Sequence, residues 1–188
     1  MDDDLESAIG ARIKRLRMER GLTLDELASA SAVSRAMISR IERAEASPTA
    51  SLLARLCAAL GLSLSTFFAE EEVASPLARR NDQPVWRDPE TGYVRRAVSP
   101  AGTQSPVDLV EVNFPAGARV SFPPNAASRG MSQHVWLFEG EMEMTVGETV
   151  HRLQPGDCLF MGIGDGHVFF NPGDRPARYC VVLDRPRS

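Results

Sequence analysis

TLDELASASAVSRAMISRIER, residues 23–43, reads as two short helices joined by a tight turn. Thr23 followed three residues later by Glu26 forms a capping box, which marks a helix N-terminus. Leu27 and Ala28 then face inward. Only two residues separate Ala30 from Val33, and Ser34 is a natural N-cap for the next helix. In that helix Met37, Ile38 and Ile41 fall on one apolar face, leaving Arg35, Ala36, Ser39, Arg40 and Arg43 toward water.

The flanking sequence extends the helical pattern. SAIGARIKRLRMERG places Ile9, Ile13 and Leu16 on one stripe, and Gly21 suits the left-handed position that ends a helix. A fourth helix is expected after ASPTA, burying Leu52, Leu53, Leu56 and Leu60 and ending at Gly61. A short fifth, capped by Ser63, carries Phe67 and Phe68. Two compact helices, the second with a polar outer face at its start, suit entry into a DNA major groove. A helix about 10–12 Å across fits a groove about 12 Å wide, where arginine can fork onto guanine. On periodicity alone, the solvated face of any amphipathic bundle accounts for the same pattern.

Composition narrows the class. With 188 residues and 43% hydrophobic content, the chain can form one large or two small cored domains. No apolar run approaches the roughly 18–20 residues of a membrane span, and the start, MDDDLESAIG, is acidic with no signal-peptide core. Cys57, Cys158 and Cys180 lie in apolar contexts without CxxC spacing, which reads as buried, reduced, inert thiols in a cytoplasmic protein. Charge is uneven. Residues 7–69 hold nine Arg and Lys against five Asp and Glu, whereas residues 70–188 hold twelve against sixteen. A basic front and an acidic back imply two domains with different partners.

Over IGARIKRLRMERGLTLDELASASAVSRAMISRIERAEASPTASLLARLCAALGLSLSTFF the chain resembles the XRE-type, phage-repressor-like helix-turn-helix. The resemblance implies that Ser34, Arg35, Ala36, Ser39 and Arg40 face the groove. It puts Thr23, Arg43, Thr49 and Ser51 near phosphates, at helix ends where N–H groups favour anions. It also implies an internal salt bridge between Arg17 and Glu42. Ala32 and Ala44 stand where the family usually has glycine, and a left-handed non-glycine residue costs roughly 1 kcal/mol.

AEEEVASPLARRNDQP, residues 69–84, is charged, contains proline and lacks periodicity, as a linker does. Beyond it the period becomes two. Val110, Val112 and Phe114 alternate with polar neighbours, as do Met142, Met144 and Val146, and Tyr179–Leu183 is a late apolar strand. Turn signals recur at PAGA, FPPNA, FEGE, VGET, QPGD and NPGD, so an antiparallel sandwich or barrel is expected.

Residues 107–183 resemble the cupins. Gly156, Gly162 (where proline is usual), Gly164, His167 and Asn171 match the spacing of the second cupin motif, and LFEGEMEMTVGETVHRLQPGD matches the region between the motifs. Catalytic cupins hold a divalent metal with two histidines and a glutamate of the first motif plus the histidine of the second. Here the glutamate position falls on Gln133, and the two histidine positions fall near Ala126 or Ala127 and Ser128 or Arg129. Only His167 survives as a weak metal candidate, with His134 one residue past Gln133 and on the opposite strand face if Gln133 faces inward and no bulge shifts the register, and His151 outside both motifs. The reading is a barrel that lost its metal, has no cofactor and kept a pocket for a small-molecule effector. The expected lining is Arg129, Gln133, Trp136, Phe138, Met142, Met144, His167 and Phe169, with Gln133 and His167 as polar contacts and Arg129 as an anchor for a carboxylate.

The expected fold is therefore multidomain, α plus all-β. It comprises a five-helix lambda-repressor-like helix-turn-helix domain over residues 5–69, a linker over 70–84, and an antiparallel β-barrel or jelly roll of cupin type over 85–188. An XRE domain followed by a cupin resembles two-domain repressors whose cupin senses a small molecule. The expected protein is a cytoplasmic, homodimeric regulator of double-stranded operator DNA and not an enzyme. The alternatives are a metal-dependent cupin enzyme with an accessory XRE-like domain, and a regulator whose cupin only dimerises.

Overall fold

The computed structural model describes residues 2–62, 64–68, 75–100, 102–103, 105–125 and 128–184. Four helices build the N-terminal domain: α1 (Asp2–Glu19), α2 (Leu24–Ser31), α3 (Arg35–Glu42) and α4 (Ala50–Ala59). The expected fifth helix is reduced to a single helical turn of five described residues, Leu64–Phe68. Its expected cap, Ser63, lies outside the described residues.

The helix ends follow local chemistry. Thr23 Oγ1 accepts from the Glu26 N–H, and the Glu26 carboxylate accepts from the Thr23 N–H at 2.7 Å, completing the capping box. Ser34 and Thr49 cap α3 and α4 by accepting from the N–H groups of Met37 and Leu52, each at 3.3 Å. Ala32 (φ 53°) and Ala44 (φ 55°) adopt the left-handed conformation that glycine would take more cheaply. Gly10 lets α1 lie against α3, since a Cβ there would overlap the Ile41 carbonyl oxygen. Arg17 forks onto Glu42 at 2.7 and 2.8 Å and ties α1 to α3 with both side chains largely buried.

The C-terminal domain packs two sheets face to face. Among the described residues ten strands run β1 (Val85–Arg87), β2 (Val94–Ala97), β3 (Val107–Phe114), β4 (Arg119–Phe122), β5 (Ser132–Glu139), β6 (Met142–Val146), β7 (Thr149–Leu153), β8 (Cys158–Gly162), β9 (His167–Phe170) and β10 (Ala177–Asp184). A six-stranded sheet has the order β1-β2-β3-β10-β5-β8, a four-stranded sheet the order β4-β9-β6-β7, and neighbours are antiparallel. The expected barrel is not closed. The chain crosses between sheets at the Gln154–Asp157 turn, so β7 and β8 belong to different ladders. Alternate residues fill the space between the sheets, including Val110, Val112 and Phe114 on β3 and Val135 and Leu137 on β5.

The two domains share a seam. Asp88 in the β1–β2 turn accepts from the Ala50 N–H at 2.7 Å, and Asn125 donates to the Leu62 carbonyl at 2.9 Å. Phe68, Trp86, Tyr93 and Phe114 form a chain of ring contacts, successive centroids 5.6–5.7 Å apart, from the Leu64–Phe68 turn into the sandwich. Among the described residues no helix is long and apolar enough to cross a membrane. The cysteines are not uniformly buried as expected: Cys57 is buried, Cys180 half-buried and Cys158 exposed on the edge strand β8.

Candidate functional sites: an arginine face and an interdomain cavity

The exposed face of α3 is built by its cap. Ser34 fixes the first turn so that Ile38 and Ile41 are buried, while Arg35, Ala36, Arg40 and Arg43 stay exposed and Ser39 is half-buried. These residues share one helix and its C-cap, whereas exposed Thr23 starts α2 and half-buried Thr49 and Ser51 start α4. Intramolecular carboxylates hold two of the arginines. Arg35 lies 3.3 Å from Asp25 of α2, and Arg43 forks onto Glu45 at 2.7 and 2.8 Å while also donating to Ser39 Oγ. The hydrogen bonds between them raise the Arg43 pKa and lower that of Glu45. Arg40 donates to the Glu45 carbonyl at 3.4 Å. A phosphate approaching Arg43 therefore competes with Glu45, an acidic neighbour absent from the sequence-based site.

The second feature is a cavity of about 110 Å³. One wall comes from the six-stranded sheet, with Arg95, Val110, Val112, Phe114, Gln133, Tyr179, Val181 and Leu183, and from Tyr93 just before β2. Phe122, Pro123, His167 and Phe169 face them, and Asn125, Ser128 and Ile163 lie in loops at the rim. Ala54 of α4 and Leu64 complete the lining from the helical domain.

Three expected lining residues, Gln133, His167 and Phe169, do meet there. His167 stacks on Phe122 with centroids 5.1 Å apart, and its Nδ1 is buried without a hydrogen-bond partner. Burial pushes its pKa down to about 4, so the imidazole is neutral at pH 7. Gln133 is 5% exposed and donates to Met161 Sδ at 3.5 Å, a weak acceptor. Arg95, which the sequence-based list missed, places its guanidinium 5.1 Å from the centre of the Phe68 ring. Burial lowers its pKa, while Tyr93, Asp108, Cys57 and Tyr179 act in the opposite direction.

The other five expected lining residues lie elsewhere. Trp136 and Phe138 share the outward face of β5 with His134, because Gln133, Val135 and Leu137 take the inward face. Met142 and Met144 are fully buried core residues that do not line the cavity, and Arg129 is exposed outside it. The alternation Tyr93-x-Arg95 in TGYVRRAV was the available signal for the missed arginine, since residues two apart on a strand share a face. The contribution of Ala54 and Leu64 had no signal, because it arises from domain docking.

The donor set does not fit a catalytic cupin metal. Position 133 is an amide that bonds a thioether, His134 points outward against Phe160, and no group of three or more His, Cys, Asp or Glu that could hold a metal occurs among the described residues. Ser128 is buried at the cavity and Arg129 exposed, while Ala126 and Ala127 lie outside the described residues. A lasting site needs three or four ligands.

A helix-turn-helix with an arginine-bearing outer helix, docked on a two-sheet domain with a cavity lined by both, defines a two-domain protein of the helix-turn-helix, cupin-like class. Family models agree: a helix-turn-helix matches residues 13–67 and a cupin domain residues 110–183. The HTH-type transcriptional regulator SutR of Escherichia coli strain K12 is 26% identical over 186 residues, covering 99% of each chain. The crystal structure of an HTH_3 family transcriptional regulator from Vibrio cholerae aligns over 100% of both chains with TM-score 0.76 at 24% identity, which shows the shared fold. The crystal structure of FeII HppE aligns over 95% of this chain and 98% of that one, with TM-score 0.50 at 16% identity, again a likeness of fold alone. The chain belongs to the XRE-type helix-turn-helix transcriptional regulators that carry a C-terminal cupin domain.

Proposed function

We propose that this regulator binds operator DNA as a homodimer through α3, and that a small molecule in the interdomain cavity changes operator affinity. The observation that carries the sensing half is the contribution of Ala54 and Leu64 to the cavity wall. A ligand there touches the DNA-binding and cupin domains together. It shifts DNA affinity by its differential affinity for the two domain arrangements and by no more. Helix α4 is the element in common, held at its first residue by Asp88 and followed by Leu62, whose carbonyl Asn125 holds. Its first turn carries Thr49 and Ser51, assigned here to phosphate contacts with Thr23 and Arg43, while Ser34, Arg35, Ala36, Ser39 and Arg40 are assigned to the groove.

The dimer follows from the need to read paired half-sites about one helical turn apart. The surface best suited to it is the outer face of the six-stranded sheet. There Trp136 (48% exposed) and Phe160 (61%) stand with His134 and Phe138 on β5 and β8. The metal-enzyme alternative receives no support from Gln133 and the outward-facing His134.

The test is to select bound fragments from genomic DNA with the full-length protein, then titrate the selected operator before and after stripping small molecules retained on purification. The proposal expects a discrete operator and a 5–150-fold change in Kd when the retained molecule is restored. No selected sequence overturns the DNA half, and an unchanged Kd overturns the sensing half. One tightly held divalent ion per chain in native mass spectrometry would bring the enzyme reading forward.

A further inference from the structure

The polar groups around the cavity differ in charge. Tyr93, Asn125, Ser128, Gln133 and Tyr179 are uncharged at pH 7, and burial keeps His167 neutral as well. Arg95 is the cation of the lining. Asp108 on β3 acts on it electrostatically but does not line the cavity, and no carboxylate occurs among the described lining residues. Much of the remaining lining is apolar or aromatic, including Val112, Phe122 and Phe169. Such surroundings strengthen a charge-assisted hydrogen bond and disfavour a multiply charged guest.

We infer that the cavity takes a small monocarboxylate, its oxygens on the Arg95 guanidinium and its short apolar body between Phe122, Phe169 and Val112. The inference rests on the sensing reading above and names its ligand class. A cavity of roughly 150 Å³ accommodates benzene, so about 110 Å³ suits a body of about four to six non-hydrogen atoms. A phosphate ester carries more charge than one arginine among aromatic walls can balance, and an amine would meet Arg95 as a like charge. The carboxylate anchor expected at Arg129 thus moves to Arg95. The guanidinium of this arginine also lies over the Phe68 ring of the helical domain, 5.1 Å from its centre, so an anion that reorients it acts on both domains.

The experiment compares charge-matched probes on the full-length protein. Propionate, butyrate and isobutyrate are tested beside their amide and amine counterparts by thermal unfolding and calorimetry. At least one carboxylate is expected to raise the unfolding midpoint by several degrees, with its amide and amine at least tenfold weaker. Arg95→Met should abolish that binding, and Arg95→Lys should weaken it while retaining the preference for anions. If Arg95→Met does not fold, the wild-type probe series and Arg95→Lys still decide the matter. An equal response to amides or amines, or no response to any carboxylate, overturns the inference. A carboxylate that binds without changing operator Kd leaves the site standing and overturns the sensing reading. An amine or amide that binds and shifts operator Kd does the reverse.

Discussion

The Asp88 carboxylate accepts the Ala50 backbone N–H at 2.7 Å, so a side chain from the sandwich closes the first turn of a helix in the DNA-binding domain. Asp88 is 1% exposed and also accepts from the Thr91 N–H at 2.9 Å and the Thr91 hydroxyl at 2.5 Å. Asp88→Ala leaves these donors without their acceptor in a buried setting, at a cost of about 1–3 kcal/mol, readable as a lower urea midpoint. On the proposed mechanism the same substitution also reduces the effect of the bound small molecule on operator Kd. A variant as stable as the wild type, with its ligand response intact, would remove Asp88 from the coupling route.

Much of the helical domain was legible because its signals are local. Thr23 with Glu26, Ser34 as an N-cap and the Ile38–Ile41 stripe each depend on residues within four positions. The cavity was only partly legible. Gln133 and His167 follow from motif spacing, whereas the alternation that places Gln133 inside puts Trp136 and Phe138 on the outer face. Arg95 lies nearly forty residues before Gln133 and meets it only through sheet order β2-β3-β10-β5. Ala54 and Leu64 enter the lining by docking of one domain on the other, and no periodicity within either domain records that.

Arg35 and Glu45 test the DNA face in opposite directions. Arg35→Ala should weaken operator binding by about 1–3 kcal/mol and relax base preference at one position. A uniform loss across all sequences in a competition assay would demote Arg35 to a phosphate contact. Glu45→Gln frees Arg43 from its bidentate partner and removes a negative charge beside the expected DNA backbone. Its expected outcome is severalfold tighter DNA binding with a steeper salt dependence. Weaker binding would show that Glu45 instead positions Arg43 for its contact.

The exposed rings on β5 and β8 test the dimer. Phe160 and His134 are cross-strand partners with ring centroids 5.0 Å apart, and Trp136 lies 4.8 Å from Phe138 on the same face. Phe160→Lys puts a charge into this apolar face without touching the cavity. Sedimentation equilibrium should show dimer dissociation strengthened at least about thirtyfold, the equivalent of about 2 kcal/mol at an interface hot spot. Operator affinity should fall with it. An unchanged dimer would place the interface elsewhere.

His167 makes stability depend on pH with a defined sign. Its pKa is about 4 in the folded protein against an ordinary value of 6.5. Between these values the unfolded chain binds a proton that the folded chain does not, so stability is fully present above about 6.5 and is lost as pH falls toward 4. The loss reaches about 2 kcal/mol at pH 5 and about 3 kcal/mol near pH 4. His167→Gln removes the titrating group, so the unfolding free energy of the variant relative to the wild type should shift by about 2 kcal/mol in the variant's favour from pH 7 to pH 5. Subtracting the two proteins cancels the acid sensitivity of the carboxylates they share. Parallel curves would mean that His167 becomes protonated in the folded state near its ordinary pKa and is open to solvent.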